Sequence, residues 1–361
     1  MAVSWLVLHI TDRCQLNCKH CLRDPDKSAH DIELALFERL LDEAKSIYNC
    51  DHIGLTGGEP TLHPEFEKLL DAIVDRGMTW HMVTNGARFE GRVGTLFDAD
   101  PRKKDSCTAI DFSIDGADAT VHDHIRGAGS YLTAMGSIAQ CHMRGIPFML
   151  QMTINAYNQH QLEQYALGAA ELGATRVSFG MTMPTGTYLD KEMFLSRDQW
   201  RVIQDRLDRL KAMLTVPVTY TEGFHNPRPF HECEPFRSEI LHVDYEGRMN
   251  LCCMHAGVPG QDKGSSNVAD MNKVSLATGH REMMKMVQQF REDKLSLMEA
   301  QGLSGWDEYP CTYCLKYFEK PHWTDQGASG EVAKRQRWKG AWAPEKHVTN
   351  VPLSDRLPIL R

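Results

Sequence analysis

The chain has 361 residues, of which 42% are hydrophobic and 24% are charged, and its formal net charge is −8. This composition is typical of a globular protein with one large domain, or a large domain and an appendage. The negative charge argues against non-specific binding to nucleic acid, which needs a surplus of Lys and Arg, and the basic run KRQRWK at 334–339 is more typical of a solvated helix face.

The N-terminal sequence and the cysteines indicate where the chain resides. The stretch MAVSWLVLHITDRC lacks the basic lead and cleavage site of a signal peptide, and no apolar run has membrane-spanning length. We therefore predict a cytoplasmic protein without membrane partners. In a reducing compartment, closely spaced cysteines indicate metal binding rather than disulfides. Of the 11 cysteines, three lie near the N-terminus and five lie beyond residue 230, whereas Cys50, Cys107 and Cys141 are isolated and are expected to pack.

Alternating strand and helix patterns occupy roughly the first 215 residues. Amphipathic helical stretches at 31–48, 64–77 and 159–173 separate strand-like runs, and another helix is predicted at 197–213. The predicted strands are 4–10, 52–56, 79–84, 109–114, 147–154 and 176–181. Such βα repeats predict an α/β fold with a parallel sheet curled into a partial barrel, in which chemistry lies on the loops after the strands.

The pattern changes after the helix at 197–213. A segment rich in Pro, Gly and His is followed by a predicted β-hairpin turning at Glu246-Gly247 and by a helix near 280–292. We predict three parts: a barrel domain at 1–215, a smaller metal-stapled domain at 216–325, and an unassigned tail at 326–361.

Three cysteines follow the first predicted strand in the sequence CQLNCKHC. Cys14, Cys18 and Cys21 are close enough in sequence to surround a single metal centre. A structural zinc site is one interpretation, with His20 or His30 as the fourth ligand. The following loop favours another.

The sequence GLTGGEPTLHP at 54–64 follows the second predicted strand, and its paired glycines allow close approach of the backbone to a ligand. A CxxxCxxC loop followed one βα unit later by GGEP resembles the radical S-adenosylmethionine (radical SAM) enzymes, which have a partial (β/α)6 barrel. The resemblance implies that Cys14, Cys18 and Cys21 hold a [4Fe–4S] cluster whose fourth iron is open to S-adenosylmethionine. It implies cleavage of S-adenosylmethionine to a 5′-deoxyadenosyl radical that abstracts a substrate hydrogen.

The resemblance also implies a set of cofactor-binding residues. The GGEP backbone is expected to hold the methionine amino group, residues ending the third to fifth strands are expected to face the ribose and carboxylate, and an imidazole is expected beside the adenine. For several of them, turn or cap chemistry is the alternative explanation. The predicted residues are His20, Gly57, Gly58, Glu59, Pro60, Asn85, Ser113, Asp115, Arg126 and Asn155.

The second cysteine group resembles the auxiliary-cluster domain called SPASM, or twitch in its shorter form. A cysteine, a hairpin with GxxxxC and a later CxxC carry this resemblance, and zinc is the alternative. The resemblance implies one auxiliary [4Fe–4S] cluster on Cys233, Cys252, Cys311 and Cys314. Cys253 is left as an alternative ligand to Cys252, a hydrogen-atom donor in catalysis, or a packing residue.

Relatives with such a domain suggest that the substrate is a ribosomally made peptide, modified by hydrogen abstraction at Cα or Cβ. Because the first strand starts near residue 4, we expect a separate leader-peptide recognition protein, together with a low-potential electron donor such as flavodoxin or ferredoxin. The alternatives are a dehydrogenase or rearrangement enzyme for a small metabolite, such as a sugar alcohol, amino acid or tetrapyrrole, and a non-catalytic iron–sulfur electron carrier.

Overall fold

The computed structural model describes residues 3–22, 29–183, 191–226, 228, 231–255 and 267–318. One sheet runs through these residues. Its strands are β1 (Trp5–Thr11), β2 (His52–Gly57), β3 (Thr79–Thr84), β4 (Cys107–Ser113), β5 (Phe148–Ile154), β6 (Arg176–Met181), β7 (Val218–Tyr220), β8 (Ile240–Val243), β9 (Arg248–Asn250) and β10 (Asn267–Asp270).

The strands β1 to β7 lie side by side in chain order and all pair in parallel. Strand β8 pairs in parallel with the outer edge of β1, and β9 and β10 continue antiparallel from it. The sheet is therefore open, with β10 and β7 as its two outer strands. This arrangement confirms the predicted α/β class with a largely parallel sheet.

Helices connect the parallel strands, as parallel pairing requires. They are α1 (Leu34–Tyr48), α2 (Phe66–Asp75), α3 (Thr95–Ala99), α4 (Pro101–Asp105), α5 (Ala119–Arg126), α6 (Ser130–Arg144), α7 (Leu162–Glu171), α8 (Arg197–Met213), α9 (Leu276–Gln301) and α10 (Pro310–Tyr317). None of the helices in the described ranges is long and apolar enough to span a membrane.

The hydrophobic core lies between the sheet and its helices. Residues on one face of each strand, such as Leu8 and Leu55, are fully buried against helix residues such as Phe37 and Leu40. Burial of the isolated Cys50, Cys107 and Cys141 agrees with the packing interpretation. The other strand face is more polar and includes Asp111 and Gln151, which are partly exposed. The sheet thus has one more polar face on the side of Asp111 and Gln151.

The predicted strands at 79–84 and 176–181 and the helix at 197–213 have the bounds that were predicted. The hairpin also turns as predicted, with Gly247 at φ +78°. Helices α3 to α6 and α10 and strands β7 and β10 were not predicted, and α9 is twice as long as expected. Because β7 continues the sheet beyond residue 215, the two predicted domains share one sheet, and the boundary stays a prediction. The predicted tail at 326–361 lies outside the described residues.

Candidate functional site

The loop after β1, which carries the three N-terminal cysteines, is tied down at its base. Thr11 Oγ1 donates a hydrogen bond to Asp31 Oδ1 at 2.6 Å, and Arg13 Nε lies 2.9 Å from Asp31 Oδ2. The backbone N–H of His30 donates to Asp12 Oδ1 at 2.8 Å. These bonds join the two ends of the loop and hold its cysteines at the carboxyl end of β1.

The three cysteines are half-buried and form no disulfide with one another, and their charges interact. Burial raises the pKa of Cys18 to about 12; Arg126 opposes this, while Cys21 and Cys14 raise it further. Arg126 Nη1 lies 4.0 Å from Cys18 Sγ, and Asn85 Nδ2 lies 3.7 Å from Cys14 Sγ. Neighbouring thiolates repel each other, so ionisation of all three requires a cation, and thiolate donors suit an iron–sulfur centre. No preformed metal shell is found among the described residues, so metal binding here stays a prediction.

The paired glycines bring the loop after β2 against the backbone of the cysteine loop. Gly58 N donates to Thr11 O at 2.7 Å, and Glu59 N donates to Arg13 O at 2.7 Å. Gly57 has φ +141°, and a Cβ added to Gly58 would lie 1.9 Å from Arg13 O. Only glycine permits this approach. In the sequence, the two motifs lie one βα unit apart. In the structure, main-chain hydrogen bonds join them directly.

The Glu59 side chain is fully buried and organises the ends of β2 and β3. Its carboxylate accepts hydrogen bonds from Thr61 Oγ1 at 2.7 Å, Thr84 Oγ1 at 2.8 Å and Asn85 N at 2.8 Å. Burial raises the pKa of Glu59, and these hydrogen bonds oppose that rise. Pro60, also buried, begins the short helical turn that follows. The carboxylate holds the loop in shape, which leaves only the loop backbone to contact a cofactor.

Asn85 links the end of β3 to the cysteine loop. Its Oδ1 accepts hydrogen bonds from Gln15 Nε2 at 2.8 Å and from Ala87 N at 2.9 Å. The second bond is typical of an Asx turn. Asn85 therefore makes the turn contact that was the alternative explanation, and it also reaches Cys14.

His20, Asp115 and Arg126 form a buried network beside the cysteines. Asp115 Oδ2 lies 2.5 Å from His20 Nε2 and accepts a hydrogen bond from Arg126 Nε at 2.6 Å, while Thr153 N donates to Asp115 Oδ1 at 2.8 Å. Burial raises the pKa of Asp115, but Arg126 and His20 outweigh it and hold that pKa well below its usual range. Asp115 is thus an anionic anchor for His20 and Arg126.

Ser113 and Asn155 occupy different environments. Ser113 is half-buried at the end of β4 and is paired with Gln151 of β5. Asn155 is fully buried; its Nδ2 donates to Thr153 O at 3.0 Å, and its Oδ1 accepts from Tyr157 N at 2.9 Å. These are the contacts of a turn residue, so a cofactor-binding role for Asn155 remains an untested prediction.

A second site lies between the hairpin, α9 and α10. One cavity is lined by all four cysteines that were predicted to hold an auxiliary cluster: Cys233, Cys252, Cys311 and Cys314. Cys253 is absent from this lining and is exposed as a residue, although its thiol hydrogen-bonds to the Cys252 thiol beside the cavity. The structure therefore brings together thiols that are separated by as many as 81 positions, from residue 233 to residue 314.

His255 also lines this cavity and was not predicted to do so. Its Nε2 lies 3.6 Å from Cys314 Sγ, and its ring packs edge-on against Phe318. In the sequence, its position three residues after Cys252 was the available signal. An imidazole beside four thiols adds a further donor of the type found in metal sites.

Asp111 is another residue that sequence reasoning missed. It lies on the same face of β4 as Ser113, two residues earlier. Burial raises its pKa to about 7, and the charge of Arg176 opposes that rise. Its Oδ1 has no hydrogen-bond partner among the described residues. The alternation of side chains between the two faces of β4 was the only signal for Asp111 in the sequence. Alternation does not reveal whether the neighbouring strands supply a hydrogen-bond partner for its carboxylate.

Comparison with protein families gives the site its context. Residues 8–167, which include both loops, match the radical SAM superfamily. The chain is 28% identical over 172 residues to a mycofactocin maturase, MftC, of Mycobacterium ulcerans, an overlap of 47% of this chain and 45% of that protein. It therefore spans less than half the length of that relative.

Two further comparisons cover more of the chain. A PqqA peptide cyclase of Methylorubrum populi is 22% identical over 265 residues, which cover 71% of this chain and 67% of that protein. The crystal structure of Streptococcus suis SuiB superposes with a TM-score of 0.62 at 14% identity, over 77% of this chain and 65% of that one. At this identity the superposition indicates a shared fold.

Proposed function

We propose that the chain is a radical SAM enzyme that binds S-adenosylmethionine at the carboxyl ends of β1 to β5 and modifies a peptide, because residues 8–167 match the radical SAM superfamily. The observation that carries this proposal is the pair of main-chain bonds between the two motif loops, Gly58 N to Thr11 O and Glu59 N to Arg13 O, each 2.7 Å. These two bonds bring the three thiols and the exposed backbone of the paired glycines into one site.

The donor set fits a [4Fe–4S] cluster with three protein ligands, Cys14, Cys18 and Cys21. Such a cluster supplies the electron that cleaves bound S-adenosylmethionine and yields a 5′-deoxyadenosyl radical. Asn85 and Arg126 contact the thiols of Cys14 and Cys18. Because donors near sulfur stabilise negative charge, these two side chains would favour thiolates over thiols.

The remaining residues bind and orient the cofactor in this proposal. Gly57 and Gly58 expose backbone polar groups to its amino group, and Ser113 offers a hydroxyl to the ribose. Arg126, kept charged by Asp115, offers its remaining N–H groups to the carboxylate. His20 is oriented by the same Asp115 and would stack against the adenine ring in this proposal.

For the second site we propose one auxiliary [4Fe–4S] cluster on Cys233, Cys252, Cys311 and Cys314, in a SPASM- or twitch-like domain. The support is that these four thiols line one cavity while Cys253 is outside it. Zinc on the same thiols is the competing interpretation, because four thiolates also suit a structural zinc site.

The proposed substrate is a ribosomally made peptide. Its support is the identity of the relatives: a mycofactocin maturase, a PqqA peptide cyclase, and SuiB, which has been solved with the precursor peptide SuiA and with S-adenosylmethionine. We propose that a low-potential donor such as flavodoxin or ferredoxin supplies electrons, and that a separate recognition protein presents the peptide leader.

The first experiment measures iron and sulfide on anaerobically reconstituted protein, with EPR spectra before and after S-adenosylmethionine is added. We expect about eight irons in the wild type and about four in the triple variant C14A/C18A/C21A, with only the wild-type signal shifted by S-adenosylmethionine. The variant C50A/C107A/C141A also removes three thiols, all of them buried away from both cysteine groups, and should keep all the iron. Equal iron in wild type and the motif variant would refute the cluster assignment.

The second experiment tests the substrate. The short peptide encoded beside the gene is incubated with the reduced holoenzyme and S-adenosylmethionine, with and without any recognition protein encoded there. We expect a mass change in the peptide together with formation of 5′-deoxyadenosine. Formation of 5′-deoxyadenosine with an unchanged peptide would redirect the proposal to a small metabolite, and its absence would favour an electron carrier.

A further inference from the structure

A lysine occupies a core position on the helix that covers the auxiliary cavity. The buried residues of α9 repeat every three or four positions, and Met283, Val287, Phe290 and Lys294 all belong to this series. The periodicity calls for an apolar residue at position 294. Instead an ammonium group is present, and the residue is only 7% exposed.

The Lys294 side chain is directed toward the cysteines of the second site. It lines the same cavity as Cys233, Cys252, Cys311 and Cys314. Its Nζ lies 5.2 Å from the ring centroid of Tyr313, which itself lies between the two α10 cysteines in sequence. A cation over an aromatic face is stabilised, but by only about 0.5–2 kcal/mol.

No carboxylate neutralises this ammonium in the part of the chain that the structure describes. The nearby Glu232 carries a negative charge that reaches Lys294, but its carboxylate is bound by Arg291, with Nη2 to Oε2 at 2.7 Å. Burial lowers the pKa of Lys294, while negative charges on Cys314, Glu232 and Cys233 favour its charged form. Two of those three groups are cysteine thiols, and binding to a metal would hold both of them as thiolates.

Burying an unpaired ammonium costs several kcal/mol, so its retention at a core position requires a compensating anion. Four thiolates around an iron–sulfur cluster carry a net negative charge in the same cavity. We infer that Lys294 is the counter-charge of the auxiliary cluster and that it raises the reduction potential of that cluster. This inference rests on the proposed auxiliary cluster and assigns to it a residue that supplies no ligand.

The expected effect follows from charge alone. Reduction adds a negative charge to the cluster, and a cation nearby in a medium of low dielectric stabilises the reduced form more than the oxidised form. Removing the cation therefore makes the cluster harder to reduce. At a fixed potential we expect the ratio of reduced to oxidised auxiliary cluster to fall by about tenfold or more, equivalent to about 59 mV for one electron.

The test is an EPR-monitored redox titration of reconstituted holoenzyme, in variants that also carry C14A/C18A/C21A so that only the auxiliary signal remains. Lys294→Met keeps the length of the side chain and removes its charge. The matched control is Lys285→Met on the same helix, where the lysine is exposed and pairs with Glu282 at 2.8 Å. We expect a more negative midpoint in K294M, no change in K285M, and an intermediate or wild-type midpoint in K294R.

The outcomes separate this inference from the proposed function. Retained iron with an unchanged midpoint in K294M would overturn the role of Lys294 while leaving the auxiliary cluster intact. A site that binds zinc instead of iron would overturn both. If K294M loses its iron, the iron content of K294R distinguishes the two explanations. Iron retained by K294R supports a charge-balancing role, whereas iron lost from both variants means that Lys294 only packs.

Discussion

Arg126 and Asp115 form a buried ion pair in which Nε of the arginine donates to Oδ2 of the aspartate at 2.6 Å, and the aspartate side chain has no exposed surface. The free end of the guanidinium faces Cys18 at 4.0 Å. This pair connects the end of β4 to the thiols of the cysteine loop. It thereby couples the stability of the barrel to the arrangement of the proposed cofactor site.

Asp115→Asn should destabilise the protein and weaken binding of S-adenosylmethionine. Removing one partner leaves the buried Arg126 charge uncompensated, which costs about 3–5 kcal/mol. Urea denaturation measures the loss of stability, and equilibrium dialysis of reconstituted protein measures binding. Asp98→Asn breaks an exposed pair with Arg144 at 2.9 Å and should cost less than about 1 kcal/mol. Equal losses of stability in D115N and D98N would show that the buried pair contributes no more to stability than the exposed pair.

Gly58→Ala should abolish the close approach of the two motif loops. The new Cβ would lie 1.9 Å from Arg13 O, so the loops must separate. A displacement of about 1 Å costs as much as a hundredfold in rate, and we expect a loss of that order in 5′-deoxyadenosine formation. Gly91→Ala, where a Cβ meets nothing within 4 Å, is the control. Wild-type rates in G58A would disprove the importance of this approach.

Cys252→Ala and Cys253→Ala should differ in their effect on iron content. Cys252 lines the auxiliary cavity, whereas Cys253 is exposed beside it. We expect C252A to fall from about eight irons to about four and C253A to retain about eight. Iron and sulfide analysis distinguishes them. Loss of iron only in C253A would exchange the two assignments, and a loss of substrate turnover in C253A with full iron would instead favour a hydrogen-donor role.

Asp111→Asn should remove part of the pH dependence of stability. The pKa of Asp111 is about 7 in the fold and about 3.8 ordinarily, so the stability that its protonated form contributes is present at low pH and is lost as pH rises through 7. Between pH 4 and pH 8 the wild type should therefore lose up to about 4 kcal/mol relative to D111N.

Urea denaturation of both proteins across that pH range checks this prediction, since effects shared by the two proteins cancel. The control is Asp205→Asn, on the exposed face of α8. A constant difference between wild type and D111N would show that Asp111 is ionised throughout.

Local patterns in the sequence were sufficient for many elements. The strands at 79–84 and 176–181 and the helix at 197–213 have clear periodicity and were predicted with correct bounds. Helix α5 was missed because ATVHDHIR has few apolar residues, and it forms behind the cap that Asp118 provides to Val121 N. Its stability depends on packing that no short window contains.

The candidate site likewise contains some features that local sequence patterns revealed and others that they did not. The spacing of Cys14, Cys18 and Cys21 and the Gly57-Gly58 pair were recognisable because the chemistry imposes them locally. The roles of Glu59 and Asp115 as buried anchors were not recognisable, since each depends in part on a distant residue: Thr84 bonds to Glu59 across 25 positions, and His20 bonds to Asp115 across 95. Asn155 makes turn contacts, and its predicted role in cofactor binding stays a prediction.

The sequence by itself determined the six strands β1 to β6, the CxxxCxxC and GGEP motifs and the two groups of cysteines, because each is encoded by spacing along the chain. Only the tertiary structure decided which cysteine of the 252–253 pair faces the cavity, that β7 and β8 extend the barrel sheet, and that Lys294 is buried beside four thiols. The physical reason is that burial and charge pairing depend on distances in space, which the strand order alone leaves open.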